Sequence, residues 1–248
     1  MFGKTMHTGM EAYYKSLQKS DHTGEAVFAG KEAFKRDLES YREVYILGQQ
    51  FDDDLHRGQR LIEDYGIHYY NDHFKVVAVE ETMELPLSDN SIFTGRLDLA
   101  VVSQEARLYI VDHKFTGWSL SSFAKSIKVS DQGTGYLLLW NSTHPKEMQA
   151  SGVMFNICRN YKGATDFLRP IIYKTEKDIE DFRLEIVEDF KEMYSRLSNP
   201  NALWPKNTDR CFDYNRPCEY QDLCLGANFQ ALIGSKFVKT ERPIEQDS

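Results

Sequence analysis

The chain has 248 residues, enough for one well-buried α/β domain with helical decoration and short for two independent cores. Apolar residues make up 41%, charged residues 27% and aromatic residues 13%, which excludes a disordered chain, and no apolar run approaches the roughly 20 residues that span a bilayer. A formal net charge of -8 excludes a surface that is basic throughout, but not a basic groove on an acidic protein.

From Lys4 to about Leu17 the residues Met6, Met10, Tyr13, Tyr14 and Leu17 recur at helical spacing and predict an amphipathic helix. Two more helical stretches follow, Gly30 to about Gln49 and Asp52 to about Asn71, the second opening on three aspartates that suit a helix N-terminus. The period then shortens. Phe74 to Leu87 alternates and is Val-rich, closing at Pro86 and the turn signal Ser88-Asp89-Asn90, and Ile92 to Val102 and Leu108 to Lys114 read as the next strands of a meander. Ser130 to about Trp140 reads as a helix in spite of Gly133 and Gly135; Gly152 to Cys158 and Leu168 to Tyr173 read as strands. Glu176 to about Leu197 is the clearest amphipathic helix, with Ile179, Phe182, Ile186, Phe190 and Met193 on one stripe. The expected fold class is α/β, a central mixed β-sheet flanked by helices. The expected domain runs over 1–225, with a Cys-rich segment at 204–225 and a loose tail at 226–248.

The chemistry concentrates in Gly95-Arg96-Leu97-Asp98 and Asp112-His113-Lys114. Asp98 and Asp112 lie on adjacent strands of a predicted hairpin, where two carboxylates can converge on one hard divalent cation. In a strand, Asp112 and Lys114 point to the same face, which sets an ammonium beside that cation. Such a set suits hydrolysis, with Mg or Mn activating water and Lys114 orienting that water or stabilising charge on a phosphate. An isolated Asp-x-Lys is more often a surface ion pair. Here Leu108, Tyr109, Ile110 and Val111 lead into Asp112, and Leu97, Leu99, Ala100 and Val101 surround Asp98, so both carboxylates fall at buried positions where an unpaired charge is costly.

The order Gly-x-x-Asp, apolar strand, Asp-x-Lys and then Gln132-Gly133-Thr134-Gly135-Tyr136 resembles the RecB-like branch of the PD-(D/E)XK nucleases, including the CRISPR-associated RecB-like exonucleases and related phage proteins. The resemblance implies a restriction-endonuclease-like core and a metal-dependent deoxyribonuclease acting on single strands or DNA ends, catalysed by Asp98, Asp112, Lys114, Gln132 and Tyr136. It implies His7, in Gly3-Lys4-Thr5-Met6-His7, as a further metal ligand, with Glu11 one turn later, and the backbone carbonyl of His113 as an oxygen ligand. Glu80 or Glu81 supports the site, and pattern alone does not choose between them. The implied partners are DNA and a helicase, recombination or CRISPR protein, in a cytoplasmic setting with no membrane.

Cys211, Cys218 and Cys224 do not look like a disulfide framework in a chain without an export signal, and metal ligation reads better. Their spacing resembles the iron-sulfur subset of the same family, where three late cysteines and one early one hold a four-iron, four-sulfur cluster. No cysteine precedes His7, and Cys158, in the strand context of Val153, Met154, Phe155 and Ile157, reads as a buried apolar thiol. A truncated N-terminus, a decayed cluster or a zinc site are the alternatives. Two rivals to the nuclease remain: a non-catalytic DNA-binding or assembly subunit that keeps the fold, and a protein whose metal is structural and whose carboxylates form an ion-pair network.

Overall fold

The computed structural model describes residues 2–45, 48–88, 91–161, 163–199, 201–213, 216–226 and 229–237. The chain divides into two compact units, 1–190 and 191–248.

The first unit opens with three helices, α1 (Phe2–Ser20), α2 (Thr23–Ser40) and α3 (Gly48–His68). Strands β1 (Lys75–Ser88), β2 (Ser91–Val102) and β3 (Leu108–Thr116) follow as an antiparallel meander. The chain then crosses over through α4 (Leu120–Ile127) and α5 (Asp131–Thr143) to β4 (Ala150–Tyr161), which runs parallel to β3. Strands β5 (Ala164–Leu168) and β6 (Ile171–Ile172) both pair antiparallel with β4, completing a six-stranded mixed sheet in the order β1-β2-β3-β4-β5. Helix α6 (Glu176–Leu197) leaves this unit. The α/β class expected from the sequence is therefore the class observed.

Alternation along the strands builds two apolar layers. Tyr109 and Val111 of β3, with Met154 and Cys158 of β4, pack under α1–α3 on Met6, Met10, Phe34, Ile62 and Tyr65. Leu108, Ile110, Val153, Phe155 and Ile157 face the other way, onto Leu137, Leu139 and Trp140 of α5. Both faces of β3 and β4 are covered, which explains their unbroken apolar runs. Helices α1 and α2 cross closely because Gly9 and Gly30 meet: a Cβ at Gly30 would stand 3.0 Å from the Gly9 carbonyl oxygen. On the sheet side of α1, His7 comes to Asp98 of β2.

Several expected boundaries move. Helix α2 starts at Thr23 instead of Gly30, where the His22 ring accepts the Glu25 N–H as a cap, and it ends at Ser40 before a short 3-10 turn at Arg42–Val44. Helix α4 falls in the stretch 115–129, for which the sequence predicts no element; Ser119 caps it, accepting the Ser122 N–H. The strand expected at Leu168–Tyr173 is two pieces. Pro170 lacks the N–H that a continuous ladder needs, so β5 ends before it and β6 begins after it, while its carbonyl accepts the Phe155 N–H. The Asp89-Asn90 turn lies outside the described residues.

In the second unit, a 3-10 turn (Thr208–Arg210) leads to a short hairpin of β7 (Phe212–Asp213) and β8 (Arg216–Pro217), then to α7 (Gln221–Cys224) and α8 (Phe229–Leu232). Residues 238–248, most of the expected tail, lie outside the described residues.

Candidate active site

Strand β3 enters the site from the middle of the sheet, with Asp112 and Lys114 opposite Phe155 and Ile157 of β4. Asp112 is 1% exposed. Its side chain points to the α5 face, where Ser130 caps the helix by accepting the Gln132 N–H and so fixes Gln132 in the first turn. Gln132 and Tyr136, one helical turn apart, both reach Asp112: the Gln132 amide nitrogen donates to Oδ1 at 3.1 Å and the Tyr136 hydroxyl donates to it at 3.2 Å. The Gln132 carbonyl oxygen accepts from Lys114 Nζ at 2.8 Å, and the same ammonium lies 2.7 Å from Asp112 Oδ2. Beyond that ion pair Oδ2 has no hydrogen-bond partner, so Lys114 alone offsets the charge on this buried carboxylate oxygen. Burial pushes the Asp112 carboxyl up; Lys114 pulls it back in part, and Asp98 adds to the rise.

Asp98 sits where β2 and β3 part. Its Oδ2 accepts the His113 backbone N–H at 2.7 Å and lies 3.3 Å from His7 Nδ1 on α1. Glu80 of β1 faces it across the ladder, bracketed by the pairs Val79–Leu99 and Glu81–Leu97. The Glu80 backbone has φ +52°, a left-handed conformation that costs a non-glycine residue about 1–3 kcal/mol. Among the described residues, His7, Glu80 and Asp98 form the group whose ligand atoms all lie within 4.8 Å of one another. Asp112 is outside that close group. Glu81, the other candidate, turns away to His144, 3.1 Å off, and sequence alone gave no sign of which glutamate would turn inward. Glu11 pairs instead with Lys15 at 2.6 Å.

The charges in this group respond to one another. Burial lowers the His7 pKa, but its hydrogen bond to Asp98 and the charges of Asp98, Asp112 and Glu80 outweigh it, and the net shift is upward. Burial pushes Asp98 up, and His7 and the His113 N–H more than reverse this, leaving it low. Glu80 is raised, first by burial and then by Asp98, with Arg96 at 2.9 Å opposing. Crowded carboxylates that raise each other's pKa favour a cation, and two carboxylates with one imidazole suit Mn or Mg. The residues fit such an ion.

Behind the carboxylates lies a buried polar network that the sequence did not announce. The His113 ring stacks on Tyr14, and its Nδ1 accepts from the Asn156 amide nitrogen at 2.8 Å. Burial holds its pKa down to about 3, so the ring is neutral. Arg169 closes the network: Nε donates to Asn156 Oδ1 at 3.0 Å, Nη2 donates to the Tyr65 hydroxyl at 2.7 Å, and Nη1 pairs with Asp72. Its guanidinium lies 3.3 Å from the centre of the Tyr69 ring. Arg169 and Asn156 are 13 residues apart, and the other hydrogen-bonded partners stand 43 to 104 apart, too far for any local pattern to connect them.

Of the four cysteines, Cys158 is 1% exposed in the first unit, where burial pushes its thiol up to about 12. Cys211 and Cys218 flank the β7–β8 hairpin, where the Cys218 N–H donates to the Cys211 carbonyl at 2.8 Å; Cys224 ends α7 and is exposed.

A family model for the PD-(D/E)XK nuclease superfamily matches residues 1–225. Among solved structures, the chain is similar to a candidate exonuclease from Eubacterium rectale at 14% identity, covering 80% of this chain and 86% of that one with a TM-score of 0.40. It is also similar to a protein named SSO0001 at 11% identity, over 82% of either chain with a TM-score of 0.34. A Silicibacter pomeroyi protein of unknown function, SPO1766, matches at 15% identity over 60% of this chain and 95% of that one, with a TM-score of 0.20. No curated protein matched. Among the described residues no helix is long and apolar enough to cross a membrane. The match over residues 1–225 makes this chain a member of the PD-(D/E)XK nuclease superfamily, whose chemistry is phosphodiester hydrolysis.

Proposed function

We propose that the chain is a divalent-metal-dependent deoxyribonuclease of the RecB-like branch, acting as an exonuclease on single strands or DNA ends. The observation that carries this reading is the contact of Lys114 with both Asp112 and Gln132, beside the close group of His7, Glu80 and Asp98. His7, Asp98 and Asp112, with the carbonyl of His113 and with Glu80 added by the structure, would hold Mg or Mn. The ion supplies charge neutralisation at the phosphate and a lowered pKa for attacking water. Lys114 then orients the water or the phosphate, while Gln132 and Tyr136 hold Asp112 and the ammonium in register. The reading takes 1–225 as the domain and a cytoplasmic setting from the sequence pattern, and takes from the family resemblance a role in recombination, repair or phage or CRISPR DNA processing beside a helicase-type partner.

The test is cleavage of end-labelled linear and circular single-stranded DNA, with Mn or Mg and then with EDTA, beside Lys114→Ala. Metal-dependent loss of the linear strand that vanishes in the variant supports the nuclease, and survival of circles supports the need for an end. Binding without cleavage moves the reading to a non-catalytic subunit. Asp112→Ala separates both from a structural ion-pair network: the nuclease loses cleavage with its fold retained, because Lys114 keeps its contact with Gln132.

For Cys211, Cys218 and Cys224 the same reading proposes an iron-sulfur cluster, with zinc as the alternative. The hairpin that pairs Cys211 with Cys218 supports a shared metal, and iron and zinc content after anaerobic purification, beside Cys218→Ser, decides between them.

A further inference from the structure

A cavity of about 320 Å³ opens beside Asp112 and Lys114, between β2, α5 and α6, at the small end of ligand-pocket sizes. Its walls are Phe93, Tyr136, Leu139 and Phe182, with Gln132 and Arg96 among the polar residues that complete the lining. We propose that this cavity is a subsite for one unpaired nucleobase of the DNA strand whose phosphate lies against Asp112 and Lys114. The inference rests on the nuclease reading and adds to it a structural demand for a single strand at the nucleotide next to the scissile bond.

Continuity with the carboxylates argues for a nucleotide. Gln132 and Tyr136 line the cavity and also touch Asp112, so a group filling it adjoins whatever lies at that carboxylate. Lys114, bonded to Gln132, stands on one side. Arg96, with a side chain 66% exposed, supplies a second cation to a strand backbone entering the cavity. The apolar walls suit a flat aromatic group: the half-buried rings of Phe93 and Phe182 meet nearly edge to face, their centres 6.1 Å apart.

Two glycines line the space. A Cβ at Gly135 would stand 3.4 Å from Phe93 and 3.6 Å from Phe182, projecting between the two rings. At Gly95 it would come within 2.6 Å of Leu139 Cδ1. A base paired inside a duplex cannot enter such a recess, whereas an unpaired one stacks there at little cost. The largely apolar walls read no Watson–Crick edge, so the subsite tolerates all four bases and selects for strandedness alone.

The experiment titrates the full chain, in EDTA, with single-stranded oligonucleotides that carry 2-aminopurine at successive positions and with the matching duplexes. The expected result is a fluorescence change confined to one position. Phe182→Ala should abolish it and weaken single-strand binding about 5- to 100-fold, the loss of one base–aromatic stack, with duplex binding unchanged. An abasic nucleotide at that position should bind the parent chain as weakly as the intact strand binds the variant. Phe182→Leu, which keeps apolar volume but no ring, repeats the comparison if the alanine variant does not fold. Tight binding with no position-dependent signal, or equal affinity for intact and abasic strands, overturns the subsite and leaves the nuclease standing. A chain that neither binds nor cuts DNA overturns both.

Discussion

Glu80 stands directly across the β1–β2 ladder from Asp98, on a backbone turned to φ +52°, while its neighbour Glu81 leaves the group for His144. The two glutamates are adjacent, equal in charge and opposite in position. Glu80→Gln is therefore expected to weaken Mn binding roughly 10- to 100-fold, the usual cost of disturbing a metal's supporting shell, and Glu81→Gln to leave it unchanged. Isothermal titration of both variants decides the point; equal effects would remove Glu80 from the site.

Arg169 is the cation of a buried network, its side chain 12% exposed. Arg169→Met leaves Asn156 and Tyr65 short of donors and is expected to cost about 3–5 kcal/mol in urea denaturation. Arg169→Lys recovers little, because a point charge cannot serve Asn156, Tyr65 and Asp72 together. A loss below about 1 kcal/mol would show the network to be dispensable for stability.

His113 and His7 give the metal-free protein opposite pH responses. The His113 pKa falls to about 3 in the fold against 6.5 unfolded, so its contribution is complete above 6.5 and is lost as the pH falls towards 3. His7 is raised, so its contribution is complete below 6.5 and is lost as the pH rises through its folded value. In EDTA, His7→Asn should remove the stability lost as the pH rises above about 6.5 and leave unchanged the loss between about pH 6.5 and 4, whose limit is about 1.4 kcal/mol per pH unit for one proton. His113→Phe should flatten that acid loss. Denaturation midpoints across both ranges measure the two effects, and an unchanged slope in His113→Phe would assign the acid sensitivity elsewhere.

Gly58 of α3 has no room for a side chain: an added Cβ would lie 2.0 Å from Phe34 Cζ on α2. Alanine gains up to about 1 kcal/mol of helix propensity there and loses about 1–3 kcal/mol to overpacking. Gly58→Ala should lower the melting temperature, and a second change, Phe34→Leu, should recover part of it.

What the sequence carried depended on distance along the chain. The period of two placed Asp112 and Lys114 on one face, and the helical spacing of Gln132 and Tyr136 put those two on one face of α5; that both reach Asp112 came from the structure. The amphipathic stripe at Glu176–Leu197 gave that helix its limits. Long-range choices were not legible. Nothing local turns Glu80 inward and Glu81 outward, because the choice lies in a backbone angle set by the folded sheet. Nor does any spacing join Arg169 to Tyr65. Helix α4, eight residues long with Ile127 its buried residue, is too short to show a helical stripe.

The site is assembled from pieces with different histories in the chain. Asp112, Lys114, Gln132 and Tyr136 fall within one strand and its crossover helix, and meet once that local segment forms. His7 arrives from the far end of the sequence, on a helix that must first dock through the Gly9–Gly30 contact. On the ligand set proposed here, a growing or partly folded chain holds the ammonium, the amide and the carboxylate early, but acquires its imidazole only when the helical layer closes on the sheet. On that ligand set the metal centre is complete only where α1 lies on the sheet, which ties the chemistry to the packing of the whole first unit.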